Sequence, residues 1–193
     1  MPFKRLYSRR LLVGTALALF GFDFFWTLAS AQTAPLTPAQ IKVGYLFNFA
    51  SYTAWPRGIL ADTNAPFAFG ILGENPFGED IEYLKARPVQ GRRVVIKTSK
   101  RTEEMQDCQL IFISSSEKER LPQIMKTLEG TRILTVSEMD GFLEQNGMIN
   151  LYLAPLEGQA TVGTIRFEIN QRAVEKAGLR INSYVLKLAR NRK

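Results

Sequence analysis

Four short apolar runs, separated by segments with helix signals, constrain this chain more than anything else in it. They are Phe67–Leu72, Val94–Lys97, Leu110–Ser114 and Arg132–Val136. A continuous apolar run of that length reads as a strand covered on both faces. Between the runs lie Glu79–Lys85, read as a short helix, and Arg101–Gln106, read as a helical turn or loop. Glu117–Leu128 reads as a helix with Ser116 as its cap and Gly130 as its stop. Strands alternating with helices predict a layered α/β sheet with helices on both sides.

The last third changes character. Met139–Asn146 reads as a short helix or loop, and Met148–Leu153 and Thr161–Ile169 as two strands joined by Ala154–Ala160. In the second strand Ile165, Phe167 and Ile169 alternate with Thr164, Arg166 and Glu168, so one face points to the core. The pair is expected as an antiparallel hairpin finishing a mixed sheet. Asn170 caps a helix that runs to Ala177 and stops at Gly178. A final helix, Ser183–Ala189, is expected to turn Val185, Leu186 and Leu188 inward. No repeat and no second domain interrupts the pattern. The predicted fold is therefore a single three-layer α/β/α domain.

Ahead of the sheet lies Thr37–Pro56. Thr37 can cap a helix, Pro38 suits its first position, and Gln40 can reach back to the cap. Trp55-Pro56 is expected to end it, because the residue before a proline is pushed out of the helical region. Over Ile41–Ala54 most of the circumference is apolar, which predicts a buried helix. Tyr45, Phe49 and Tyr52 share one side. Gly44, Asn48 and Ser51 form a polar stripe that Trp55 continues. That stripe is the part of the helix to offer to a ligand or partner.

Met1–Ala31 carries the marks of a cleaved export signal. Lys4, Arg5, Arg9 and Arg10 form a basic start, Leu11–Phe22 an apolar segment, and Ala29-Ser30-Ala31 a small-residue cleavage site. Ser8-Arg9-Arg10-Leu11-Leu12 is similar to a twin-arginine signal. Cleavage after Ala31 places the mature chain in the periplasm of a cell with two membranes.

Composition excludes several chemistries. The chain has no histidine, which removes His-based triads and His-based metal sites. It has one cysteine, Cys108, so no intramolecular disulfide and no thiolate cluster can form. Cys108 precedes Leu110–Ile113 and reads as a small buried hydrophobe. The net charge is +7, of which +3 lies in the leader, and no basic run is interleaved with aromatics. Nucleic acid is therefore not an expected partner. Glu103 and Glu104 are adjacent and so do not face each other on a helix. Glu117, Lys118, Glu119 and Arg120 read as a solvated helix face. No cofactor, metal or catalytic residue is expected.

Two other places could meet a ligand. The turn Gly73-Glu74-Asn75-Pro76-Phe77-Gly78 joins a strand to a helix, where α/β sheets bind ligands. Glu79 and Asp80 follow instead of a Lys-Ser/Thr pair, which disfavours phosphate. Arg166 and Glu168 project from one side of a strand, either to pair with each other or to present a polar site.

These residues also carry a resemblance. Lys42–Phe49 with Trp55-Pro56, Ile71–Gly78, Gly141-Phe142 with Gly147–Asn150, Arg166–Asn170 and Ala177–Ile181 follow one another in an order that resembles the YfiR family of periplasmic proteins. The match covers 37–190. It implies a non-enzymatic α/β/α domain that binds the periplasmic part of an inner-membrane diguanylate cyclase and keeps it inactive. Release would raise cyclic di-GMP and favour biofilm. The family's characterised member relies on cysteines for disulfides and a redox response, and Cys108 alone cannot supply an internal disulfide. Partner contacts are expected at Asn48, Ser51 and Trp55 or at Arg166 and Glu168. The alternative is a periplasmic small-molecule sensor with its ligand near Glu74 and Asn75 or beside Trp55. A second copy of the chain, forming a homodimer, is a further partner the sequence leaves open.

Overall fold

A long first helix, α1 (Pro38–Ser51), and a two-residue strand, β1 (Thr53–Ala54), precede the main sheet of this computed structural model. Then come β2 (Phe67–Leu72), β3 (Val94–Ser99), β4 (Leu110–Ile113), α2 (Leu121–Thr127) and β5 (Leu134–Ser137). The hairpin β6 (Ile149–Leu156) and β7 (Gln159–Ile169) follows, then α3 (Gln171–Lys176), β8 (Arg180–Ile181) and α4 (Ser183–Leu188). Single 3-10 stretches cover Gly78–Ala86, Thr102–Met105 and Ser115–Arg120. The structure describes residues 35–189 apart from 63, 157 and 158, so the export signal and the basic tail from Arg190 lie outside the described residues.

The six-stranded sheet has the order β3-β2-β4-β5-β6-β7. All neighbours are parallel except β6 and β7. The mixed sheet with a C-terminal antiparallel hairpin is as the sequence predicts. Side chains alternate across it. Phe67, Phe69 and Ile71 of β2 join α1 in one apolar cluster. Ala68 and Leu72 join Ile111, Ile113 and the α2 residues Leu121 and Ile124 in another. Two cores on two faces make three layers. Strand β3 runs two residues past its expected end and lies at the edge, where it is only half-buried.

Helix α1 starts as expected. Gln40 N–H donates to Thr37 Oγ1 and Thr37 N–H to Gln40 Oε1, both at 3.1 Å. Asp80 of the neighbouring 3-10 stretch accepts from Gln40 Nε2 at 3.1 Å and from Thr37 Oγ1 at 3.3 Å. Its charge also suits the positive end of the helix. Val43, Leu46, Phe49 and Ala50 face the sheet. Burying Leu46 or Phe49 contributes about 1.5–3 kcal/mol each. Tyr45 and Phe49 both pack on Phe167 of β7, and Lys42 pairs with Glu138.

The helix ends at Ser51, not at Ala54. Pro56 is not what stops it. Thr53 and Ala54 pair antiparallel with Ile181 and Arg180. Asn182 N–H donates to Tyr52 O at 2.9 Å, and Gln90 Nε2 donates to the carbonyls of Ala50 and Thr53 at 2.9 and 2.7 Å. Distant partners take the backbone groups that a longer helix would use. Tyr52 is therefore 45% exposed and does not share the buried side of Phe49.

Four other expectations are corrected. Ser114, not Ser116, caps the segment after β4, and that segment is 3-10 up to Arg120 before α2 begins. Pro122 lacks the N–H that would bond Lys118, so one α-helix cannot run through. Glu117 is buried, not solvated. The hairpin strands extend to Leu156 and from Gln159, so the connection is much shorter than Ala154–Ala160. Leu188 faces outward at 54% exposure, because α4 has fewer than two full turns and only Val185 reaches the core.

Arg92 is buried without a carboxylate. Its guanidinium donates to Leu60 O at 2.6 Å, to Ala65 O at 3.0 Å and to Asp62 O. It thus holds the 60–65 loop against β3. Replacing Arg92 by Ala is expected to cost about 2–3 kcal/mol in chemical denaturation, with Lys failing to restore it because an ammonium lacks the planar fork. Thr37→Ala removes one half of the capping box and is expected to cost about 1 kcal/mol in the same measurement.

Candidate interaction surface

The outward side of α1 is where exposed apolar and polar groups gather. Gly44 and Asn48 are exposed there, and Ser51 is half-buried. Beside them the 3-10 stretch Gly78–Ala86 lies along the first half of the helix, held by the Asp80 contacts. It presents Tyr83, 63% exposed, while Leu36 before the helix is 67% exposed. The Arg87 guanidinium lies 4.4 Å over the Phe47 ring. Together they enclose a groove of about 290 Å³ whose floor includes Val43 and Leu84. A Cβ at Gly44 would meet nothing within 4 Å, so this point of the surface is open. Tyr and Arg around an apolar floor are the residue types that dominate binding energy at protein interfaces.

The other expected contacts lie elsewhere. Trp55 does not continue the stripe. Its ring stands edge-on to Phe67 at 5.3 Å, and its indole N–H is buried without a partner. The hydroxyl of nearby Thr53 is likewise unpaired. Glu74 and Asn75 follow β2, where the strand order reverses between β2 and β4. Asn75 closes its own turn, accepting from Phe77 N–H and donating to Gly78 O, both at 2.9 Å. Glu74 is exposed, and its N–H donates to Ser116 Oγ at 3.0 Å.

Gly73 has φ +94, and a Cβ there would lie 2.5 Å from Ser116 Oγ and 2.8 Å from Glu117 Oε1. The two loops therefore meet over the crevice that the topology would offer to a ligand. The buried Glu117 carboxylate lies 3.2 Å from Arg120 Nε, close enough to share charge though not aligned as a hydrogen bond. Arg166 and Glu168 sit on β7 opposite Tyr152 and Asn150, on the side of the sheet away from α1. The seven residues thus fall in four separate places: Asn48 and Ser51 on α1, Trp55 against Phe67, Glu74 and Asn75 after β2, and Arg166 and Glu168 on β7. Sequence periodicity places Gly44 and Asn48 on the exposed side of α1, as the structure does, but gives no sign that Leu36, Tyr83 and Arg87 lie beside them. Periodicity marks the faces of an α-helix; a short 3-10 stretch carries no such signal.

Cys108 lies under Gly70, whose added Cβ would come within 3.1 Å of the sulfur. Burial pushes its thiol up to about 12, with the Asp107 charge adding and Lys97 opposing. At neutral pH it is a protonated thiol and a poor nucleophile. Among the described residues no group of His, Cys, Asp and Glu could hold a metal, and no helix is long and apolar enough to cross a membrane.

A three-layer α/β domain with a groove on its first helix is, in these terms, a candidate binding module. A YfiR/HmsC-like family model matches residues 39–190, and the chain belongs to that family. The family is one of periplasmic regulators of cyclic di-GMP signalling, regulatory rather than catalytic. None of the curated proteins matches the chain. Among solved structures, a conserved domain protein from Vibrio cholerae O1 biovar El Tor str. N16961 aligns with TM-score 0.52 and 14% identity over 80% of this chain. The ABC domain in complex with L-Trp from Streptococcus pneumonia aligns with TM-score 0.49 and 16% identity over 79% of this chain. The chain spans about 60% of the length of each of these two. The likeness to the Vibrio domain is one of fold.

The buried thiol has a direct consequence. A disulfide-exchange reagent is expected to leave Cys108 unmodified in the native protein and to modify it once denaturant opens the core. Fast labelling without denaturant would show that the thiol is accessible.

Proposed function

We propose that this protein is an exported, non-catalytic repressor that binds the periplasmic region of an inner-membrane diguanylate cyclase and lowers cyclic di-GMP. Its leader would be removed after Ala31. Repression would work by linkage: the domain binds the inactive state of the enzyme better and shifts its population. The family supports the pathway. The observation that carries the contact is the groove on α1, with Tyr83 and the Arg87–Phe47 pair beside the open Gly44. Asn48 belongs to the same exposed side. Arg166 and Glu168 would form a second, separate contact on the hairpin.

The groove can be blocked without disturbing the core. Gly44→Trp places a large side chain in open space, and Tyr83→Ala removes an exposed ring. Deleting the gene is expected to raise cyclic di-GMP in the cell. The wild-type chain should restore the low level, and Gly44→Trp should fail although it accumulates normally. Tyr83→Ala should weaken binding to the captured cyclase by about 2 kcal/mol. Full complementation by Gly44→Trp would exclude the groove as the repressing contact.

A further inference from the structure

A second groove lies where α2, α3 and the turn before β6 meet, and nothing in the preceding reading uses it. Its volume is about 490 Å³, within the range of small-molecule sites. Helices α2 and α3 have only seven and six residues, and between them they leave this space uncovered. The floor is apolar: Leu128, Ile133, Met148 and Ala173 are buried, and Met125 is half-buried. The side chains there are aliphatic or thioether, and methionine adapts to varied apolar shapes.

The rim is charged, and the charge is unbalanced. Lys126 and Lys176 both line the groove against a single carboxylate, Glu129. Lys176 Nζ donates to Glu129 Oε1 at 2.9 Å across the rim, from α3 to the end of α2. The Lys176 bond and charge, with Lys126 adding, hold the Glu129 carboxyl below its usual range. The position thus already favours a carboxylate. The C-terminal end of α2 by itself favours the two lysines over an anion, and Thr131 takes one of its carbonyls, Leu128 O, from its N–H at 3.1 Å and its hydroxyl at 2.6 Å.

We propose that this groove binds a small amphipathic monocarboxylate, its apolar body over Met125, Ile133 and Met148 and its carboxylate between Lys126 and Lys176. The ligand would share or displace Glu129 at Lys176. A lysine pair selects for the anion, and the apolar floor supplies most of the affinity.

The probe is 4-phenylbutyrate, with 4-phenylbutyramide as its neutral counterpart, titrated into the purified protein by calorimetry. The acid is expected to bind about tenfold tighter than the amide, and Lys126→Gln/Lys176→Gln to lose about that preference. Both lysines are exposed and the Lys176–Glu129 pair lies at the surface, so the unliganded melting temperature should move little. In methyl-labelled protein the signals of Met125 and Met148 should shift, while Met105 and Met139, buried in the core, stay. Met125→Trp should abolish binding of both probes by filling the floor. Equal binding of acid and amide would overturn the proposal, as would unchanged affinity in the double variant. Silent Met125 and Met148 signals, or no heat from either probe, would do the same. Gly44→Trp should bind the acid normally, so failure here is distinguishable from failure of the α1 contact.

Discussion

Burial of β2 and β4 on both faces is the constraint on which the rest of the structure depends. Every residue of both strands is buried. An apolar strand buried on two sides needs a layer on each. Helix α1 supplies one and α2, with the segments around Met105 and Phe142, the other. Gly70 sits in the middle of β2 because Met105, Cys108 and Ile111 fill the space where a side chain would go. The lone cysteine is thus explained by packing, and its raised pKa follows from the same burial.

Helix α1 has a second consequence. Its inner side is fixed by Val43, Leu46 and Phe49, its start by Thr37, Gln40 and Asp80, and its flank by Lys42 with Glu138. A helix so fixed presents its outer side in a defined place. Gly44 and Asn48 become a surface and not merely polar positions. The neighbouring 3-10 stretch and the extended residue after it then add Tyr83 and Arg87, which lie far from them in sequence. The sheet's other helices are shorter, and the gap between α2 and α3 is the counterpart of that economy of cover.

Polar groups inside the fold close its seams. Arg92 satisfies three loop carbonyls, and Glu117 with Ser116 occupies the space over Gly73. The crevice at the reversal of strand order is where ligand binding is expected from topology. Here the Ser116 and Glu117 side chains come over Gly73, and the two grooves described above lie on the first helix and between α2 and α3. Fold and site location are separable for this reason.

The amino-acid sequence by itself determined the six strands of the main sheet and their order along the chain, the capping of α1 and α3, and the absence of histidine chemistry. These rest on local periodicity, on cap residues within one turn and on composition, all of which are readable along the chain. Tertiary structure alone decided that α1 ends at Ser51, since Gln90 takes the carbonyls of Ala50 and Thr53 and β1 pairs with β8 far along the chain. It decided that Trp55 packs on Phe67, that Glu117 is buried and that Tyr83 and Arg87 stand beside Phe47. Such outcomes depend on contacts between residues twelve or more positions apart, and no local pattern encodes which distant surface a side chain will meet.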